Sequence, residues 1–278
     1  MLISYHVHST YSDGKTTIRE LVEAAVAQGL DELGISDHYV LLPEDRSVSW
    51  SMSLDGLAQY LAELEEIAEE FRGRLVIRKG LEVDYDPTTE NGVAEVLRAH
   101  DFDFVIGSVH FIDGFPVDES PDHWDRLSES ERNDMILAYW ARIELMAKSR
   151  LFDFAGHLDL YKKFGHLPTI DISRYVTAAL DAIADSGMAV EINTAGWFLP
   201  AYEAYPSLEI LSACRSRGIP IIINSDAHEP SNLIRGFDRA YELARSVGYS
   251  EVLAYNRRIP RKFALPAIET SSRPKAGG

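Results

Sequence analysis

Residues 2–38 read Leu-Ile-Ser-Tyr-His-Val-His-Ser-Thr-Tyr-Ser-Asp-Gly-Lys-Thr-Thr-Ile-Arg-Glu-Leu-Val-Glu-Ala-Ala-Val-Ala-Gln-Gly-Leu-Asp-Glu-Leu-Gly-Ile-Ser-Asp-His. The run Leu2–His6 has the short, apolar, β-branched character of a strand buried on both faces, and Glu32–Ser36 repeats it. Between them, Thr17 with Glu20 predicts a capping box, Leu21–Gln28 a helix, and Gly29 its end. Strand, helix and strand in such close succession predict a parallel βα unit with the helix packed outside.

The same alternation continues along the chain. Further strands are predicted over Leu75–Leu81, Phe102–Ile106, Phe152–Ala155, Ala189–Ile192 and Ile219–Asn224. Leu57, Tyr60, Leu61, Leu64, Ile67, Ala68 and Phe71 recur at helical spacing, with acidic residues opposite. Pro206 suits a first helical turn, Gly218 a helix end, and Pro220 blocks continuation. About seven such units predict an α/β fold, a barrel related to the eight-stranded βα barrel. A doubly wound open sheet is the alternative that periodicity leaves standing. The expected organisation is one barrel domain over residues 1–268, a loop insertion around 111–130, and a flexible tail at 269–278.

Composition narrows the class of partner. The 278 residues carry 27 Lys+Arg against 44 Asp+Glu, a formal charge of −17, which argues against a nucleic-acid-binding surface. One cysteine, Cys214, rules out an internal disulfide framework and fits a reducing compartment. The apolar runs fall short of the ~18 residues a membrane span needs, and no signal peptide is evident, so a cytoplasmic location is expected.

Of the nine histidines, His6, His8, His38, His110, His157 and His228 fall at or just past a predicted strand end. Asp13, Asp37, Glu82 and Asp226 fall at the same level. In a parallel barrel those ends open on one face. His6 and His8, two apart on a strand, share a side and can grip one ion. Imidazoles and carboxylates gathered on one rim repel or go unsatisfied unless a cation sits among them, and zinc, iron or manganese accept this mixed nitrogen and oxygen set.

His6-Val7-His8-Ser9, Ser12-Asp13-Gly14, Ser36-Asp37-His38, Gly107-Ser108-Val109-His110 and Ser225-Asp226-Ala227-His228 resemble the motifs of the polymerase and histidinol phosphatase (PHP) superfamily. Within it, the stretches Gly156–Gly165, Glu191–Gly196 and Glu203–Ser207 resemble the histidinol-phosphate phosphatases. The similarity runs from about residue 2 to about residue 255.

The resemblance implies a distorted (β/α)7 barrel of the PHP type around about three divalent transition-metal ions. His6, His8, Glu82 and Asp226 would hold the first; Glu82, His110 and His157 the second; His38, His228 and Asp13 the third. It implies hydrolysis of the small-molecule ester L-histidinol phosphate, as part of histidine biosynthesis, by a metal-bridging hydroxide. Other PHP-type phosphoesterase substrates, nucleotides or phosphotyrosine, and a non-catalytic metal-binding module are the rivals. No oligomeric state is assigned.

Asp37, Asp159 and His228 are candidates for catalytic roles, the two aspartates by orienting imidazoles or protonating the leaving group. Lys162, Lys163 and Arg235 are candidates for holding phosphate, and Glu191 and Asp118 for pairing with the substrate's cationic end. Phe111, Trp124 and Trp197 are candidate pocket walls. Cys214 falls mid-helix as a small hydrophobe.

Overall fold

A computed structural model describes residues 1–43 and 46–266; the expected tail at 269–278 lies outside the described residues. The first unit is β1 (Ile3–Ser4), α1 (Ile18–Ala27) and β2 (Glu32–Ile35), with β1 and β2 parallel. Thr17 and Glu20 form the reciprocal capping box, and Ile18, Leu21, Val22 and Ala25 bury the inner face of α1. Full burial of each large apolar side chain contributes roughly 1.5–3 kcal/mol.

The second and third strands are each broken. β2 resumes as β3 (His38–Tyr39); after α2 (Leu57–Glu70), β4 (Val76–Lys79) resumes as β5 (Glu82–Asp84). β4 pairs with β2, and β5 with β3. The breaks make room for Phe104, whose ring lies where a Cβ on Gly80 or Gly34 would be, at 2.1 Å and 2.6 Å. Only glycine fits there.

α3 (Glu90–Ala99) leads to β6 (Ile106–Ser108), which starts later than the expected Phe102–Ile106. The reason is that Asp103 is engaged elsewhere: its carboxylate accepts from Lys79 N and Arg257 N, and its carbonyl from Arg258 N. The 111–130 insertion is more ordered than a loop. It contains the hairpin β7 (Phe111–Ile112) and β8 (Phe115–Pro116), then α4 (Pro121–Asp125), and runs into α5 (Glu129–Ser149), capped by Ser128 and Glu131.

β9 (Phe154–Ala155), α6 (Ser173–Ser186), β10 (Ala189–Asn193), α7 (Leu208–Ser216) and β11 (Ile221–Asn224) complete the series. Ser207 caps α7, so Pro206 precedes the cap and is outside the first turn where it was expected. β3, β5, β6, β9, β10 and β11 form one parallel sheet, β1, β2 and β4 another, and a parallel bridge from Val7 to Ala227 joins the first strand to the last. The result is a distorted barrel of seven staves, with the open-sheet alternative excluded.

α8 (Phe237–Val247) leads to an antiparallel hairpin, β12 (Glu251–Asn256) and β13 (Ile259–Ala264), that no sequence signal announced. Its turn residues, Arg257 and Arg258, take positive φ of 50° and 62°, where glycine or asparagine is usual. The hairpin covers the mouth at the N-terminal ends of the strands. There Tyr255 joins a stack of Tyr5, Phe104 and Phe154 inside the barrel, with successive centroids 4.7, 5.9 and 5.8 Å apart. One mouth is thereby plugged, and the strand C-termini open on the other. Among the described residues no helix is long and apolar enough to cross a membrane.

Candidate metal centre

At the open mouth, nine side chains from six of the seven staves and their loops meet: His6, His8, Asp13, His38, Glu82, His110, His157, Asp226 and His228. They fall into overlapping sets whose donor atoms lie within 4.8 Å of one another: His6, His8 and Asp226; His6, Glu82 and His157; His38, Glu82 and His110; His8, Asp13, His38 and His228. Glu82 is the hub. Its Oε2 lies 2.8 Å from His38 Nδ1, 3.1 Å from His6 Nε2 and 3.5 Å from His8 Nε2, while Oε1 lies 3.0 Å from His157 Nε2 and 3.6 Å from His110 Nε2. Asp226 Oδ1 is 3.2 Å from His8 Nε2, and Asp13 Oδ1 is 3.2 Å from His228 Nε2.

These are donors suited to a cation. Glu82 Oε2, His6 Nε2, His38 Nδ1 and both ring nitrogens of His8 are buried, yet none makes a hydrogen bond. Buried polar atoms left this way are costly, and several of them facing one small space call for a positive charge there. The electrostatics agree. Burial drives His8 down to about 3, helped by His38 and His228, so the ring is neutral and one nitrogen has a lone pair free. Burial opposes charge on Glu82 and Asp226 too, but the surrounding imidazoles outweigh it and hold both well below the carboxylate range. Burial likewise opposes charge on His6, but Glu191, Glu82 and Asp226 outweigh it and raise His6 well above its ordinary value. Carboxylates thus favour a proton on His6, and likewise, against burial, on His110 and His228, both pushed up to about 9; a divalent ion would take the place of those protons, since it requires neutral imidazoles and ionised carboxylates as ligands.

A second layer fixes the donors. Glu191 is fully buried and accepts four hydrogen bonds: from His6 Nδ1 at 2.8 Å, His157 N at 2.9 Å, Asn193 Nδ2 at 3.0 Å and Asn224 Nδ2 at 2.9 Å. It therefore lies beneath the cluster and is not a rim group for the substrate's cationic end. Ser108 Oγ donates to Glu82 Oε1 at 2.6 Å. Asp84 Oδ1 accepts from His110 N at 2.6 Å and lies 3.2 Å from His110 Nδ1. Asp84 and Ser108 were not anticipated. The spacing Glu82-Val83-Asp84, the same two-residue step as His6-Val7-His8, was the signal for Asp84.

Other expectations are relocated by the structure. Asp37 neither touches an imidazole nor caps a helix; it accepts from the N and Oγ of Ser9 and of Ser12, and so shapes the loop that carries Asp13. Asp159 is buried away from the cluster, accepting from Lys162 Nζ and Ser207 N. Burial raises it to about 6 despite the lysine. Lys162 is buried, its ammonium spent on Asp159, Glu203 and Ala204 O, so it does not face the rim. Arg235 does not line the cavity; its guanidinium lies 4.3 Å from the Phe198 ring centroid, within electrostatic reach of Asp226.

A cavity of about 270 Å³ lies over the cluster. Of the three candidate catalytic residues, His228 alone lines it. Lys163 and Asp118 also line it, and they pair with each other at 2.9 Å. Trp50, not anticipated, forms part of its wall, with Phe111 stacked behind. Trp124 and Trp197 are elsewhere: Trp124 is buried and donates to Val117 O, and Trp197 lies under Arg239 on the outside. His100, His123 and His166 stand apart from the donor sets.

Comparison with known proteins follows the same lines. A family model described as the PHP domain matches residues 4–195. The "Probable histidinol-phosphatase" of Deinococcus radiodurans is 39% identical over 259 residues, covering 93% of this chain and 98% of the relative. The histidinol-phosphatase of Lactococcus lactis is 24% identical, covering 91% and 94%. A crystal structure of the histidinol phosphate phosphatase from Lactococcus lactis, complexed with zinc, L-histidinol and phosphate, superposes with a TM-score of 0.80 at 24% identity, covering 94% of this chain and 98% of that one, and has the same fold. A barrel with its strand ends converging on this donor cluster, and a family match over more than half its length, place the chain in the PHP domain family.

Proposed function

We propose that this chain is a metal-dependent phosphate monoesterase that hydrolyses L-histidinol phosphate to L-histidinol and phosphate, a step in histidine biosynthesis in the cytoplasm. The observation that carries the reading is the hub geometry: one buried carboxylate, Glu82, within 3.6 Å of five imidazoles at the floor of a small cavity. The name of the Deinococcus radiodurans relative, similar over nearly the whole of both chains, supports the substrate.

His6, His8, Glu82 and Asp226 are assigned to one ion, Glu82, His110 and His157 to a second, and His38, His228 and Asp13 to a third. About three zinc, iron or manganese ions so held would supply the positive charge that clamps phosphoryl oxygens and acidifies water. The chain's own part is positioning. Glu191 fixes the ring of His6, and Asp84 that of His110, so that each presents a lone pair to the centre. Asp37 holds the Asp13 loop through Ser9 and Ser12. Lys163 lines the cavity with its ammonium donating to Asp118 O and Oδ2, which leaves one hydrogen for a phosphoryl oxygen. Cys214 is buried in α7 and supplies no nucleophile, and water is the attacking group in this reading.

Purified protein should carry transition metal and release phosphate from L-histidinol phosphate at least about 100-fold more efficiently than from nucleoside monophosphates or phosphotyrosine. A preference for either of the latter would replace this reading with that of a different phosphoesterase.

A further inference from the structure

The donor cluster sets the floor of the cavity, but the wall that meets a leaving group is built from other residues. Trp50, between β3 and α2, stands over two of the donors. Its ring centroid is 4.8 Å from that of His38 and 5.5 Å from that of His110, with planes crossing at 75° and 70°. Phe111 backs it in parallel, at 5.9 Å and 5°. The β7–β8 hairpin that carries Phe111 is clamped in turn by Arg142, which pairs with Asp113 in its turn at 2.6 Å and with Asp86 at 2.9 Å. Trp50 is thus backed on one side, yet unlike the core residues Trp124 and Trp140 it is only half-buried and lines the cavity.

The charges at the mouth complete the pattern. Asp118 is occupied by Lys163, whereas Glu119 is exposed, with His123 Nε2 at 3.8 Å. Trp50 and Glu119 line the same cavity, and an aromatic ring and a carboxylate around one space favour a flat ring that can carry positive charge, because the ring quadrupole and the carboxylate act in the same direction. We propose that Trp50 is a specificity-determining residue: braced by Phe111, its indole holds the planar imidazole end of the phosphate ester, with Glu119 as counter-charge to the protonated ring. The assignment rests on the substrate reading above and adds to it the group that selects the ring.

The test compares two esters that share an amino-alcohol phosphate but differ in the ring, L-histidinol phosphate and O-phosphoethanolamine. They are assayed with the metal-loaded wild type, Trp50→Ala and Trp50→Phe. Trp50→Ala should lower kcat/KM for the ring-bearing ester about tenfold more than for the ringless one, mainly through KM. Trp50→Phe should restore most of the difference. Metal content should match the wild type, and calorimetry should show the same weakening for L-histidinol binding in the presence of inorganic phosphate. Equal losses for both esters, or loss of metal, would overturn the assignment and leave Trp50 a cover for His38 and His110. A wild type inert towards L-histidinol phosphate overturns the functional reading and this one with it. A wild type that turns it over, with a preference that survives Trp50→Ala, overturns only the role of Trp50.

Discussion

His6 Nδ1 lies 2.8 Å from Glu191 Oε1, a buried pair reaching from the first stave to the sixth that aims Nε2 at Glu82 and Asp226. The carboxylate fixes which nitrogen carries the proton, and so which one has a lone pair for a cation. Glu191→Gln keeps the shape but removes the charge. Metal affinity, measured by chelator competition, should fall about 10–100-fold with the fold intact by circular dichroism. Wild-type affinity in this variant would remove Glu191 from the account.

Glu82 has five imidazoles within 3.6 Å, more than either other carboxylate of the cluster, Asp13 or Asp226. Glu82→Gln should lower bound metal, read by elemental analysis, and cut phosphate release by at least about 100-fold. A variant that stays fully loaded and active would mean that the hub is not a ligand.

Stripping metal with a chelator should abolish turnover and lower the melting temperature together, because the unpartnered donors are then left facing one another. If free metal stands about 1,000-fold above its dissociation constant, the stabilisation lost is about 4 kcal/mol. Restoring zinc, manganese or iron should return both properties; a melting temperature indifferent to the chelator would count against a buried metal centre.

At the plugged mouth, Glu32 accepts from Tyr5 and is paired with Arg78 and Arg261. Burial pushes its carboxyl up, but Arg78, Tyr5 and Arg261 outweigh this and the net shift is downward. A lowered folded value means that the contribution to stability is complete above the unfolded value of about 4.3 and is lost as pH falls through the folded one. Glu32→Gln should therefore cost stability at pH 7 and flatten the loss below pH 4, as read from urea midpoints. An unchanged acid limb would show that the network is idle.

Phe104, fully buried among Tyr5, Phe154 and two glycines, fills the barrel interior. Phe104→Ala should destabilise by about 3–5 kcal/mol, since the glycines have no side chains with which to collapse into the space. A cost below about 1 kcal/mol by chemical denaturation would mean the interior repacks freely.

Much of this was legible in the chain itself. Apolar runs punctuated by Gly29, Gly218 and the Thr17–Glu20 cap marked the βα units, because backbone preference and burial on both strand faces act locally. The histidines at strand ends marked the donors, since a parallel barrel brings those ends to one face. The C-terminal hairpin was not legible: Arg257 and Arg258 hold an unfavourable turn only because Asp103 and Asp153 grip them from distant loops.

The sequence alone therefore determined the number of staves and which residues stand at their ends. Tertiary structure alone decided the second layer: that Glu191 lies under His6 and not at the rim, that Lys162 is spent on Asp159 and Glu203, and that Trp50 walls the cavity. The physical reason is range. Secondary structure follows from neighbours along the chain, whereas the partner of a buried charge is whichever group the closed barrel brings within about 3 Å, often a hundred or more residues away.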